Sequence, residues 1–117
     1  MSYEFSYDYK REVLVFKFPD DQVYITYYLS RRVKTRPHHR EIWLRVRTAD
    51  GNYRMKSYAF QFFQRSFRRI KCDKAKGEAK KIVRHLRTEQ GTHRSIGSLL
   101  ADYEQEQKEA IETYEEE

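Results

Sequence analysis

The stretch that decides the fold is Ile42-Trp43-Leu44-Arg45-Val46-Arg47-Thr48-Ala49-Asp50-Gly51-Asn52-Tyr53-Arg54-Met55-Lys56. Apolar and polar residues alternate on both sides of Asp50-Gly51, which marks two strands joined by a turn, each with one buried and one solvated face. Asp-Gly suits a two-residue type I′ turn, because both central residues need positive φ. About that turn, a hairpin of 40–48 with 53–60 sets Val46 against Met55, Leu44 against Ser57 and Ile42 against Ala59 on the apolar side. On the other side it sets Arg47 against Arg54, Arg45 against Lys56 and Trp43 against Tyr58. Like charges directly opposite one another destabilise a sheet, so a face built this way points to an anionic ligand. Neutralisation by Glu41 or by the acidic C-terminus would weaken that reading, and a one-residue slip would exchange the two faces.

The same period extends back toward the N-terminus. Tyr3, Phe5, Tyr7 and Tyr9 alternate with Glu4, Ser6, Asp8 and Lys10, and a second strand follows from Glu12 to Phe18. Pro19-Asp20-Asp21 is turn chemistry. From Gln22 to Arg32, Val23, Ile25, Tyr27 and Leu29 line one face of a third strand, while Tyr24, Thr26, Tyr28, Ser30 and Arg32 line the other. The segment 33–39 contains Pro37 and reads as a loop.

Downstream of the hairpin the period changes to that of a helix. Phe60, Phe63, Phe67 and Ile70 recur at helical spacing, and so do Ala75, Ala79, Ile82 and Leu86 behind Asp73, which stands where an N-cap is expected. Lys74, Lys76, Lys80, Lys81, Arg84 and Arg87 surround the second stripe. Ser95 is a candidate cap for a last helix carrying Ile96, Leu99, Leu100 and Tyr103, whose apolar pattern lapses at 105–107 and resumes at Ala110, Ile111 and Tyr114. The expected fold is α+β: an antiparallel β-meander of four to five strands over 3–60, then two or three α-helices. The expected organisation is a single domain over 1–117, with a sheet at 1–60, basic helices at 60–90 and an acidic C-terminal helix and tail at 95–117.

Charge is distributed unevenly along this plan. The formal net charge is +6, but 102–117 holds eight acidic residues and only Lys108, which leaves 1–101 at +13 with 23 basic and 10 acidic residues. A basic body of this kind favours polyanionic partners. One cysteine, Cys72, rules out an intrachain disulfide and fits a reducing compartment. No apolar run approaches the roughly 18 residues of a membrane span. Met1-Ser2-Tyr3-Glu4-Phe5 lacks the basic-then-apolar pattern of a secretory leader. The expected setting is therefore intracellular, whether cytoplasm, nucleus or nucleoid, including that of a virus-infected cell, and no membrane partner is expected.

The candidate site is the outer sheet face with its adjoining loop. Tyr24, Tyr28, Trp43 and Tyr58 offer flat rings on which unpaired bases stack, and Arg45, Arg47, Arg54 and Lys56 offer cations for phosphates. The loop adds Arg31, Arg32, Lys34, Arg36 and Arg40 as a clamp on backbone phosphates. The expected function is non-enzymatic binding of nucleic acid, with single-stranded DNA or RNA favoured, and a homodimer or a protein partner as additional associations. The alternative is a protein-interaction or virus-encoded inhibitor module that docks by its basic face. A third reading is a small ribonuclease using His38 and His39. One Cys and four His at these spacings make no zinc site, and neither a glycine-rich phosphate loop nor a nucleophile elbow is present. No cofactor and no catalytic residue are expected. The acidic helix has two readings: a cover over the chain's own basic face, or a seam for self-association.

Overall fold

The computed structural model describes residues 2–8, 10–29, 41–57, 72–88 and 95–116. Five strands form one antiparallel sheet in chain order: β1 (Glu4–Asp8), β2 (Val13–Phe18), β3 (Val23–Leu29), β4 (Ile42–Thr48) and β5 (Gly51–Lys56). Two helices follow, α1 (Cys72–Thr88) and α2 (Ile96–Glu116). This is the α+β meander expected from the alternation. The Phe60, Phe63 and Phe67 stripe lies outside the described residues.

The three central strands bury alternate residues, all on the same side of the sheet. Leu14, Phe16 and Phe18 of β2, Val23, Ile25, Tyr27 and Leu29 of β3, and Ile42, Leu44 and Val46 of β4 form the floor of the core. Met55 of β5 extends it at one edge, and Tyr7 of β1 packs against it at the other. Ala75, Ala79, Ile82 and Val83 of α1 close over it, joined by Leu100 and Tyr103 of α2. The small residues Ala75 and Ala79 let α1 lie close on the sheet, where Phe16 meets the Tyr27 ring edge-on at 5.8 Å. Burying each such ring contributes roughly 1.5–3 kcal/mol.

The connections are set locally. The Asp8 carboxylate accepts the backbone N–H groups of Lys10 and Arg11 at 3.0 and 3.1 Å. Pro19–Asp21 makes one 3-10 turn, closed by the Gln22 N–H donating to the Pro19 carbonyl at 3.1 Å. Glu12 and Gln22 take positive φ, of 53° and 56°, so β2 and β3 each begin one residue later than the alternation alone suggests. Arg87, at the last turn of α1, donates two hydrogen bonds to Asp21, from Nε and from Nη2, the latter at 2.7 Å. That pair ties α1 to the β2–β3 connection, and hydrogen bonding to Asp21 raises the guanidinium pKa further.

The β4–β5 hairpin departs from its expected register. The observed pairs are Thr48–Gly51, Arg47–Asn52, Val46–Tyr53, Arg45–Arg54, Leu44–Met55 and Trp43–Lys56. The turn residues are therefore Ala49-Asp50, and Asp50-Gly51 is not a type I′ pair. The Thr48 hydroxyl is the cause: it accepts the Asp50 N–H at 3.2 Å and donates to the Gly51 carbonyl at 3.3 Å. In this hairpin Gly51 takes positive φ, at 150°, and Ala49 and Asp50 do not. The displacement is two residues, so every side chain keeps the face that the alternation assigns it and only its partner changes.

The helix starts also differ in part. Asp73 lies inside α1, which begins at Cys72, and so is not its N-cap. Ser95 does cap α2, accepting the Ser98 N–H at 3.1 Å. The polar interval at 105–107 does not interrupt α2, because exposed Gln and Glu propagate a helix as readily as apolar residues do.

The core contains a carboxylate that the apolar pattern does not announce. Glu78 of α1 is 5% exposed. Its Oε1 accepts the Tyr27 and Ser57 hydroxyls, both at 2.7 Å. These two bonds offset part of the desolvation of the charge and lock α1 to β3 and to the end of β5.

Burial, followed by the nearby Glu78 charge, pushes the Tyr27 pKa well above the ordinary tyrosine value. Burial raises Tyr103 too, with Glu78 and Glu106 adding to it. A pKa raised in the fold means that this stability is complete below the ordinary tyrosine pKa of about 10 and is lost as pH rises toward the folded values. In an alkaline absorbance titration, Tyr27 and Tyr103 should ionise only with loss of the far-ultraviolet helix signal. Two glycines give a second check. Nothing lies near a Cβ added at Gly77, whereas one at Gly97 would meet the Tyr53 ring at 2.9 Å. Gly77→Ala should stabilise by about 0.5–1 kcal/mol in urea titration. Gly97→Ala should lack that gain and lose about 1 kcal/mol or more to overpacking.

Candidate nucleic-acid interface

The sheet face opposite the helices is built from cross-strand rows. One row runs Lys17, Tyr24, Arg47, Asn52; the next runs Val15, Thr26, Arg45, Arg54; the third runs Val13, Tyr28, Trp43, Lys56. The first two rows line a shallow depression of about 820 Å³ with Tyr53 at its rim. Arg45, Arg47, Arg54 and Lys17 are exposed and form no ion pair among the described residues. Two acidic residues of the edge strand β1 also lie on this face, Glu4 directly opposite Lys17 and Asp8 opposite Val13, so positive charge concentrates over β3–β5.

Arg45 and Arg54 stand directly opposite each other, and their repulsion is answered by the rings beside them. The Arg45 guanidinium lies 5.0 Å from the centre of the Tyr28 ring, and that of Arg54 lies 5.8 Å from it. Arg54 also lies 5.2 Å from the Trp43 ring centre. An aromatic face carries negative potential, and each such contact contributes about 0.5–1 kcal/mol at an exposed site. The arginines are thus held in place without an acid neutralising them. At one end of the face Glu41 does act as a neutraliser: it pairs with Lys56 at 3.5 Å and accepts the Trp43 indole N–H at 3.1 Å.

Seven of the residues that the sequence nominates therefore share this face: Tyr24, Tyr28, Trp43, Arg45, Arg47, Arg54 and Lys56. Their exposures differ. Tyr24 is 38% exposed and leaves part of its ring open beside Lys17 and Arg47. Tyr28 and Trp43 are half-buried beneath guanidinium groups. Lys17, Thr26 and Asn52 also belong to the depression, although the sequence pattern does not single them out as a site. Lys17 was legible in principle, since it alternates with Leu14, Phe16 and Phe18 and so must point away from the core. Arg31, Arg32, Lys34, Arg36, His38, His39, Arg40 and Tyr58 lie outside the described residues.

The helical layer is basic as well, but much of its charge is engaged. Lys76 lies over Phe5 at 5.6 Å and Lys80 over Tyr3 at 5.2 Å, and Arg87 is held by Asp21. His85 Nε2 meets the Leu99 carbonyl at 3.0 Å, which joins α1 to α2. The buried residues of the acidic helix, Leu99, Leu100 and Tyr103, pack on the other side of the sheet, and its Glu104 meets the arginine face at the β5 edge, lining a small cavity with Arg54. Among the described residues no cluster of His, Cys, Asp and Glu is placed to hold a metal, and no helix is long and apolar enough to cross a membrane.

The Tyr28 hydroxyl is buried and has no hydrogen-bond partner among the described residues. An unsatisfied buried hydroxyl costs about 1–3 kcal/mol. Tyr28→Phe, which keeps the ring under Arg45, should therefore leave stability unchanged or raise it by up to about 1 kcal/mol in urea titration. No model of a known protein family, no curated protein and no solved structure matches the chain.

Proposed function

We propose that this protein binds single-stranded nucleic acid, without catalysis, on the open face of its sheet. The observation that carries the reading is the depression in which Arg45, Arg47, Arg54 and Lys17 converge beside Tyr24 without forming an ion pair among the described residues. Cations in this number and spacing suit consecutive phosphates, and counterion release makes such binding strongly salt-dependent. Bases stack on Tyr24 and on the outer planes of the Arg45 and Arg54 guanidiniums, which are themselves backed by Tyr28 and Trp43. A single strand suits a shallow sheet face better than a duplex does, because its bases are free to lie flat on it.

The test is a titration with short single-stranded and duplex oligonucleotides of DNA and RNA, at low and at moderate salt. Trp43 is the chain's one tryptophan and lies under Arg54, so its fluorescence reports a base or phosphate arriving there. Arg45→Ala with Arg54→Ala should weaken binding and reduce the log–log salt slope by about 1 for each phosphate no longer neutralised. An unchanged signal at low salt with every oligonucleotide rejects the reading.

A further inference from the structure

We infer that the arginine face also docks the acidic half of α2 from a second copy of this chain, so that self-association and nucleic-acid binding compete for one surface. Three observations lead there. First, among the residues whose side chains are described, those of α2 that are buried are Leu99, Leu100 and Tyr103, all near its start. From Glu104 to Ala110 its side chains are exposed or half-exposed, and the helix continues to Glu116. At 1.5 Å per residue, the part beyond Tyr103 is about 20 Å long. Second, that part carries Glu104, Glu106, Glu109, Glu112, Glu115 and Glu116 against the single Lys108. Over 104–109 it is polar on every side, and a helix of that kind gains little from its own core and commonly serves contacts elsewhere. Third, the complementary surface lies on the same molecule, and α2 approaches only its edge, where Glu104 and Arg54 line one small cavity. Arg45, Arg47, Arg54 and Lys17 form no ion pair among the described residues, and the sheet lies between Arg45, Arg47 and Lys17 and the buried residues of α2. Charge complementarity that one chain leaves unused is satisfied between two.

The occupant is thus a helix bearing carboxylates at close intervals, laid over rows of guanidinium groups. A carboxylate meets a guanidinium with two parallel hydrogen bonds, so the same arginines that suit phosphates suit this helix. The contact joins two different surfaces, which lets copies add in sequence, and it is sensitive to salt. Nucleic acid, with its denser charge, displaces it. The displacement rests on the proposed nucleic-acid binding, whereas the docking does not.

Sedimentation velocity of the full chain over a wide concentration range tests the docking. The average mass should rise with concentration at low salt and fall to that of a monomer at high salt. Arg45→Glu with Arg54→Glu, and separately Glu106→Lys with Glu109→Lys, should each weaken association by about tenfold or more, the loss expected from two interfacial charge pairs. Mixing the two variants, or combining all four changes in one chain, should restore it, which a merely misfolded variant cannot do. A monomer at every concentration in low salt overturns the inference, and so does undiminished association of the Arg45→Glu, Arg54→Glu chain. Oligonucleotide titration of the Glu106→Lys, Glu109→Lys chain separates the two readings. Tighter binding than that of the unaltered chain supports both. A monomeric unaltered chain that binds oligonucleotide as tightly as this variant keeps nucleic-acid binding and rejects docking. Self-association without any oligonucleotide binding keeps docking and rejects the other.

Discussion

The structure depends on one constraint: the central strands bury one face completely and must therefore offer the other to solvent. In β4, Ile42, Leu44 and Val46 are all buried. Because side chains alternate across a strand, Trp43, Arg45 and Arg47 have only the opposite side available. β3 imposes the same division through Val23, Ile25, Tyr27 and Leu29, and the in-register pairing of β3 with β4 brings Tyr24, Thr26 and Tyr28 into rows with the arginines. The basic face is a consequence of core formation on its reverse. It needs no long-range contact of its own to assemble.

That constraint also explains what could be read from the chain and what could not. The meander, its faces and the helical second half follow from the periods of Ile42-Leu44-Val46 and Ala75-Ala79-Ile82, which are local and strong. Membership of the face was legible for the same reason. Cross-strand partners were not, because they turn on whether Ala49 or Asp50 is the first turn residue, and that is decided by hydroxyl hydrogen bonds of about 1 kcal/mol. Alternation fixes which way a residue points, modulo two, and is silent on shifts by two. The half-buried state of Tyr28 and Trp43 was hidden likewise, since it depends on where two guanidinium groups come to rest. Glu78 was illegible for another reason: in the spacing of Ala75, Ala79 and Ile82 it reads as a residue at the margin of the stripe, and only the arrival of Tyr27 and Ser57 from two strands makes its burial tolerable.

Polar chemistry thus does separate tasks in the two layers. Between sheet and helices, one carboxylate with two hydroxyl donors fixes the position of α1 over β3 and β5. Satisfied buried polar groups specify one arrangement where apolar contacts alone would tolerate several. On the open face the arginines form no ion pair among the described residues and are steadied by rings instead. α2 differs from both, with a few buried residues at its start and a polar stretch over 104–109 that is exposed or half-exposed.

The arginine-on-ring contacts have a consequence for how this face meets any anion. A free arginine side chain loses up to about 2 kcal/mol of rotamer freedom when it is fixed. Arg45 and Arg54 already rest against Tyr28 and Trp43, so much of that entropy is surrendered on folding and not on binding. Their orientation is set before a partner arrives, and the unfavourable ordering term of association is correspondingly smaller. The surface behaves as a stiff template whose selectivity is geometric, and lysine at either position, though it keeps the charge, would make it an adaptable one.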